Sequence, residues 1–300
     1  MFLGNTYYGE SGYCQLLEDT LTFGVDIPDR TGVGSKAVFD AKVIYREGEF
    51  PFSTVRPAPL RMAFEEFWFF LSGSTQTKAL EDKGISFWKG NTSREFLDNR
   101  GLNDLEEGDM GQAYGYQLRG FNKGIVRSPS DVVDQLADTV KTLKKERYSR
   151  RVYTTLWNPS ASKYMALTPC WHSHQFVCIP DAEGYDTLHL KLLNRSLDAC
   201  FGFLFAVQQY RLYQMCIAKM FGMRLGALSA DLTQVHIYAN QVEYTKEILS
   251  RQAGKPGTVS ITKPISSVDD ILALQWCDIQ VDGLEVNTTP FHTPKPPMAA

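Results

Sequence analysis

The sequence predicts an α+β fold, a mixed β-sheet packed with helices around one long central helix. Three observations predict it. Residues 203–221 form a long apolar run with few breakers, which reads as the central helix. Short β-branched or apolar runs at 152–157 and 175–179, and a segment in which Leu188, Leu190 and Leu192 alternate with His189 and Lys191, read as strands. Helices and strands do not follow one another as repeating βαβ units, which argues against a doubly wound parallel sheet.

Two further helices complete the outline. Residues 60–71 are rich in apolar and aromatic side chains and stop before Ser72-Gly73, so they read as a buried helix. Glu65 and Glu66 sit inside it, and carboxylates in so apolar a segment are expensive to bury alone, so at least one faces a polar cavity. Residues 131–146 follow Ser130, a good N-cap, and place Val132, Val133, Leu136, Val140 and Leu143 at helical spacing with lysines in the last turn. With no internal repeat and no low-complexity linker, residues 1–300 read as a single domain.

Composition narrows the function. At 300 residues and 43% hydrophobic, the chain can bury a large core without staples. Its six cysteines, Cys14, Cys170, Cys178, Cys200, Cys216 and Cys277, are scattered and read as free thiols. The formal charge of -3 offers no basic field for a nucleic-acid backbone, so any anionic ligand must be gripped locally. The first residues lack a basic region before an apolar core, and no apolar run approaches membrane-spanning length. A soluble, cytoplasmic protein is expected, in the host cytoplasm if the source is viral, with neither membrane nor nucleic acid as partner.

The chemistry concentrates in two segments. Thr168-Pro169-Cys170-Trp171-His172-Ser173-His174-Gln175-Phe176 holds a cysteine beside a proline, and Asn194-Arg195-Ser196-Leu197-Asp198 is a polar run in apolar surroundings. An arginine near a thiol favours its anion, the reactive form, so a meeting of the two would make an activated nucleophile. Arg30 in a glycine loop, Arg150 and Arg151 after the amphipathic helix, and Arg195 beside Ser196 could together surround one phosphate, since guanidinium forks bind its oxygens bidentately.

With these pieces in order, the chain resembles the thymidylate synthase family along nearly its whole length. The motifs are Asp29-Arg30-Thr31-Gly32, Glu65-Glu66-Phe67-Trp68-Phe69-Phe70, Gly108-Asp109-Met110-Gly111-Gln112-Ala113-Tyr114-Gly115, Ser149-Arg150-Arg151, Pro169-Cys170 with Gln175-Phe176, Arg195-Ser196-Leu197-Asp198, His236-Ile237-Tyr238 and the tail Lys295-Pro296-Pro297-Met298-Ala299-Ala300. The resemblance implies a thymidylate-synthase-like fold with one sheet face forming a homodimer interface. It implies that Cys170 adds to C6 of a deoxypyrimidine monophosphate, so that C5 can take a one-carbon unit from 5,10-methylenetetrahydrofolate, with no metal. Glu66 and Tyr114 would handle protons, and Arg195 would serve both thiolate and phosphate. Arg30, Arg195 and Ser196 would hold the 5'-phosphate from one subunit, with Arg150 and Arg151 arriving from the other. Gln175 and Asp198 would also face the nucleotide, and His236 and Tyr238 the sugar. Trp88, Asp198, Gly202, Phe205 and the tail residue Ala299 would line the folate site, with Arg56 on the folate glutamate.

Two departures from the family pattern bear on the base. Trp171 stands where the synthases place a histidine, and Ala206 where they place the asparagine whose amide reads uracil. A methyl group cannot read a pyrimidine edge. Recognition then falls to His172, His174, Gln208 or an ordered water. The pattern suggests a specialised hydroxymethylase or methylase of dUMP or dCMP, of the phage type that makes modified nucleotides, with an ordinary thymidylate synthase as the alternative. A reading of another class is a metal module, because an extended strand would put Cys170, His172, His174 and Cys178 on one face.

Overall fold

A computed structural model describes residues 4–29, 32–124 and 128–297. Arg30 and Ala299 lie outside the described residues. In chain order the elements are β1 (Asn5–Tyr8), α1 (Gly9–Phe23), β2 (Val25–Ile27), β3 (Ser35–Tyr45), α2 (Leu60–Leu71), α3 (Lys78–Glu81), α4 (Arg94–Asn99), α5 (Gly115–Arg119) and α6 (Gln135–Lys145). There follow β4 (Tyr153–Thr155), β5 (Trp171–Pro180), β6 (Asp186–Asn194), β7 (Leu197–Asp198), α7 (Gly202–Phe221), β8 (Arg224–Tyr238), α8 (Val242–Ser250), β9 (Thr258–Ile261), α9 (Val268–Leu272) and β10 (Ile279–Asp282). The main sheet runs β1-β3-β8-β6-β5-β4, with β2 added to β3 and β7 to β8. The β1–β3 and β6–β8 pairs are parallel, whereas β3–β8, β5–β6 and β4–β5 are antiparallel, so the sheet is mixed as the element order requires.

Alternation fixes which face of the sheet is covered. Leu188, Leu190 and Leu192 of β6 are buried, while His189 and Lys191 between them are only half-buried on the opposite face. Helix α7 spans 20 residues and is buried on most of its circumference, the signature of a helix inside the fold. It ends at Gly222, whose left-handed backbone (φ 62°) lets its N–H cap the Ala218 and Lys219 carbonyls. Its polar side chains tie it to the surrounding chain. Arg211, fully buried, donates to the carbonyls of Arg46, Glu49 and Gly226 and to Gln214 Oε1, and the Gln214 amide reaches the Leu188 carbonyl of β6. Helix α2 packs on α7 through aromatic contacts of Phe67 with Tyr210 and Tyr213.

Two expected elements differ in extent. The amphipathic helix begins at Gln135 under an Asp134 cap that accepts from the Ala137 N–H, and not behind Ser130. The cause is visible upstream: a short 3-10 turn at Pro129–Asp131 precedes Val133, whose backbone pairs with Phe121 and holds the chain extended. The strand expected at 152–157 is only Tyr153–Thr155, whereas the one expected at 175–179 extends back to Trp171, with an irregularity between Trp171 and Ser173.

Arg211→Leu removes the donor of the Glu49 carbonyl and of Gln214 Oε1 and one of two donors to the Arg46 and Gly226 carbonyls, and should lower unfolding stability by about 3 kcal/mol or more. Urea denaturation checks this; an unchanged midpoint would show that the carbonyls find other donors.

Candidate active site

Antiparallel pairing brings the start of β5 beside the end of β6, with Trp171 opposite Asn194. The residues just outside that pair, Cys170 and Arg195, therefore meet although 25 positions apart in the chain. The Arg195 N–H donates to the Cys170 carbonyl at 3.0 Å. Its guanidinium donates through Nε to the Pro169 carbonyl at 3.0 Å, and through Nη2 to the Thr168 carbonyl at 2.9 Å and Thr168 Oγ1 at 3.0 Å. The same Nη2 lies 3.8 Å from Cys170 Sγ, which is partly exposed. Charge and thiol are thus held together by the backbone bonds of one loop.

A second wall stands opposite. The Cys170 N–H donates to the Tyr114 hydroxyl at 3.2 Å, and Tyr114 stacks on Phe70 of α2. Tyr114 has φ 31°, a backbone conformation that side chains rarely adopt and that concentrates at functional sites. Burial raises its hydroxyl well above the ordinary tyrosine value, with the neighbouring Cys170 adding to the rise. Glu66 projects from α2 into the same region, accepting from Trp88 Nε1 at 2.7 Å and from Gln209 Nε2 at 2.5 Å. Burial raises its carboxyl above the ordinary value, and those two bonds oppose the rise. Of the paired glutamates only Glu66 faces this interior; Glu65 bonds Lys83 at 2.5 Å.

Further along, β7 lays Asp198 beside His236 of β8, and the His236 ring meets Tyr238 edge-on at 4.9 Å. Asp198 accepts from the N–H groups of Cys200 and Phe201 and from Gln241 Nε2. Burial raises its carboxyl, and burial lowers the His236 imidazole while Asp198 counteracts that fall. Ser196 is half-buried between Arg195 and this pair. Gly202 opens α7, exposed, and Phe205 one turn on meets Phe87 edge-on, while the neighbouring Trp88 is buried against Phe70 and Tyr114.

Several expected contacts lie elsewhere. Gln175 donates to the Arg150 carbonyl at the far end of the β4–β5 ladder and is not brought to Cys170. Arg150 and Arg151 are exposed at that same end. Arg56 is 4% exposed, donates to the Cys200 carbonyl at 2.6 Å and lies over the Phe201 ring, so it braces the turn before α7 and is not offered to a ligand tail. Gln208 donates to the Pro51 carbonyl. His172 sits against Ser173 and Trp157, whereas His174 is sealed among Phe176, Tyr210 and Tyr213, so the two imidazoles do not share a face. The bulge after Trp171 breaks the alternation on which a metal module depended, and the described residues hold no group of three His, Cys, Asp or Glu placed for a metal.

Trp171 is buried against Phe203 and Tyr210, residues two turns apart on α7 that bracket Ala206, each about one turn from it. The large indole and the small methyl are therefore complementary halves of one wall. Two residues escaped the sequence reading. Gln209 holds Glu66, and its spacing of three from Ala206 on a helix was the available signal. Asn194, 1% exposed with neither amide atom partnered among the described residues, stands opposite Trp171; a polar residue closing a leucine-alternating strand was the clue.

A cysteine clasped to an arginine, beside a tyrosine and a half-buried carboxylate in an α+β fold, defines an enzyme of the covalent-nucleophile class. Residues 11–291 match the family model described as thymidylate synthase, and the chain belongs to the thymidylate synthase family. It is 34% identical over 287 residues to the thymidylate synthase of Homo sapiens, covering 94% of this chain and 89% of that one. It is 35% identical over 269 residues to the thymidylate synthase of Equine herpesvirus 2, covering 88% and 91%. With the bifunctional dihydrofolate reductase-thymidylate synthase of Leishmania major it shares 38% over 248 residues, 81% of this chain but 47% of that one. The chain thus spans about half the length of the bifunctional relatives it matches. No helix among the described residues is long and apolar enough to cross a membrane.

Glu66→Gln should raise stability near neutral pH. Above the ordinary carboxyl value of 4.5 the unfolded chain ionises while the folded protein resists ionisation, so this carboxyl costs stability as pH rises. Glutamine keeps the acceptor for Trp88 without the charge. Melting curves should show a Tm gap in favour of the variant near pH 7 that closes toward pH 4.5; a lower Tm near pH 7 would contradict the assignment.

Proposed function

We propose that the protein transfers a one-carbon unit from 5,10-methylenetetrahydrofolate to C5 of a deoxypyrimidine 5'-monophosphate, through a covalent bond between Cys170 Sγ and C6 of the base. The observation that carries the reading is the Arg195 guanidinium 3.8 Å from Cys170 Sγ, facing Tyr114 and Glu66. C5 of a pyrimidine is too poor a nucleophile to react unaided, and addition of the thiolate at C6 pushes electron density onto it. Arg195 favours the thiolate and, with Ser196, presents donors to the 5'-phosphate. Glu66, whose carboxyl burial raises above its ordinary value, and Tyr114 serve the proton that leaves C5. His236 and Tyr238 face the sugar. The folate supplies carbon at the oxidation level of formaldehyde. The Phe87–Phe205 pair offers aromatic surface to a flat pteridine, and the half-buried Asp198 carboxylate, next to Gly202 at the start of α7, fits a ring of N–H donors.

Two products are open to this chemistry. Hydride delivered by the folate leaves a methyl group, and methylation of dUMP is the reaction of an ordinary thymidylate synthase. Attack by water leaves hydroxymethyl, on dUMP or dCMP, as in enzymes making modified nucleotides. The Trp171–Ala206 wall supports a specialised base preference, because the amide that would read uracil is missing and Asn194, opposite Trp171, keeps both amide atoms unpartnered among the described residues. Incubation with methylenetetrahydrofolate and each of dUMP, dCMP, UMP and CMP, followed by mass spectrometry, tests the reading. A product heavier by CH2 (methylation) or by CH2O (hydroxymethylation) supports it, and no product from any nucleotide contradicts it. Ala206→Asn should shift kcat/KM toward dUMP and Ala206→Asp toward dCMP, each by about tenfold or more; unchanged ratios would assign base reading to other groups.

A homodimer follows from the arginines. Tyr153 pairs with Gln175, five residues along β5 from Cys170, so Arg151 and Arg150 lie roughly 17 Å or more from the thiol of their own chain. That is too far to share a phosphate with Arg195, and it supports their service in a partner's site. The outer sheet face, where Asp231 bonds Lys42 and Lys191 across three strands, offers a flat surface for the pairing. Mixing Arg151→Ala with Cys170→Ser should regenerate up to about a quarter of wild-type activity through hybrid dimers that keep one intact site. No recovery after demonstrated subunit exchange would argue against shared sites.

A further inference from the structure

Behind the wall that carries Cys170 lies a cavity that leaves about 20 Å3 to the centre of a water molecule. A single water requires roughly 10–15 Å3 by that measure, so the space is large enough for one. Its walls are mostly aromatic and aliphatic, with Phe67, Phe70, Leu118 and Leu156 among them, and His174 and Gln209 bring polar groups to it. His174 is 2% exposed, and neither ring nitrogen has a hydrogen-bond partner among the described residues. Burial alone lowers its pKa to about 3, so the ring is neutral and carries one donor and one acceptor. Its aromatic neighbours Phe176, Tyr210 and Tyr213 meet it edge-on and explain its orientation without satisfying either nitrogen. A histidine is a costly way to fill an apolar gap, and its two unpartnered nitrogens give a mostly apolar cavity a polar spot that calls for a hydrogen-bond partner. On its other side the cavity meets Gln209, whose Nε2 holds Glu66 Oε2 at 2.5 Å. An amide nitrogen has two hydrogens, and only one is needed for that bond.

We propose that His174 and the Gln209 amide bind one water in this cavity, and that His174 is thereby a positioning residue for Glu66. The second hydrogen of Gln209 Nε2 is donated to the water, and the water donates to the unprotonated nitrogen of His174. The chain His174–water–Gln209–Glu66 then fixes the amide with nitrogen toward the carboxylate, and the carboxylate with its other oxygen on Trp88 Nε1. The role rests on the proposed reading of Glu66 as the proton-handling group; the water site itself does not.

Crystallography of the full chain at a resolution that shows ordered waters tests the site. A water within hydrogen-bonding distance of both a His174 ring nitrogen and the Gln209 amide is expected, and a dry cavity overturns the proposal. Kinetics test the role, with whichever pyrimidine nucleotide the wild type accepts. His174→Phe, which keeps the ring and removes both nitrogens, should lower kcat about tenfold while KM for the nucleotide moves less than about twofold. His174→Gln, which keeps a donor and an acceptor, should recover most of the loss. Wild-type turnover by His174→Phe, or equal loss in both variants, overturns the positioning role. Should His174→Phe fail to fold, the wild-type crystal structure and the His174→Gln kinetics decide. If the wild type acts on no pyrimidine nucleotide, the functional reading fails while the water and the Glu66 geometry remain readable in the crystal.

Discussion

The Arg195 guanidinium closes the gap between the end of β6 and the loop that enters β5, donating to two carbonyls and a hydroxyl of Thr168 and Pro169 and lying 3.8 Å from Cys170 Sγ. Those bonds fix the cysteine loop, and through the loop the Cys170 N–H meets Tyr114 and Trp171 settles on α7. A cation anchored by neutral acceptors keeps its charge unspent, available to a thiolate and to a bound anion. The mixed sheet exists, in functional terms, to bring those two strand ends side by side, while α7 supplies the buried backing against which the site is rigid.

The larger elements were legible because their signals are local. A 20-residue apolar run can only be an inner helix, and the alternating leucines of β6 can only face it. Boundaries were less legible where tertiary pairing decides them: Val133 is helical by spacing, but its backbone is claimed by Phe121, and β5 grows back to Trp171 because Asn194 is there to pair with it. In the site, the meeting of Cys170 with Arg195 and the inward turn of Glu66 followed from residue chemistry and family resemblance. Arg56 did not, since an arginine before a helix reads equally as ligand or brace, and only the Cys200 carbonyl reveals the brace. His172 and His174 were paired by strict alternation, which a single bulge undid.

In the proposed reading, the polar groups around the base are arranged differently from the family pattern the sequence resembles. The position expected to carry an amide is a methyl at Ala206, and the indole of Trp171 lies across the same stretch of α7. Polar side chains reappear one layer deeper, at Asn194, His174 and Gln209, where burial makes each unsatisfied atom costly and each satisfied one directional. The catalytic constellation and its base wall are therefore separable. The first depends on Arg195 and the second on α7, so specificity can drift while the nucleophile stays in place.

The central claim is that Cys170 attacks C6 and thereby loosens the hydrogen on C5. Its most direct measurement is exchange of that hydrogen in deuterium oxide, followed by mass spectrometry of the nucleotide incubated with protein and folate. Deuterium or product at C5 with the wild type, and neither with Cys170→Ser in a correctly folded protein, is the predicted result. Labelling at C5 by the Cys170→Ser protein at the wild-type rate would contradict it.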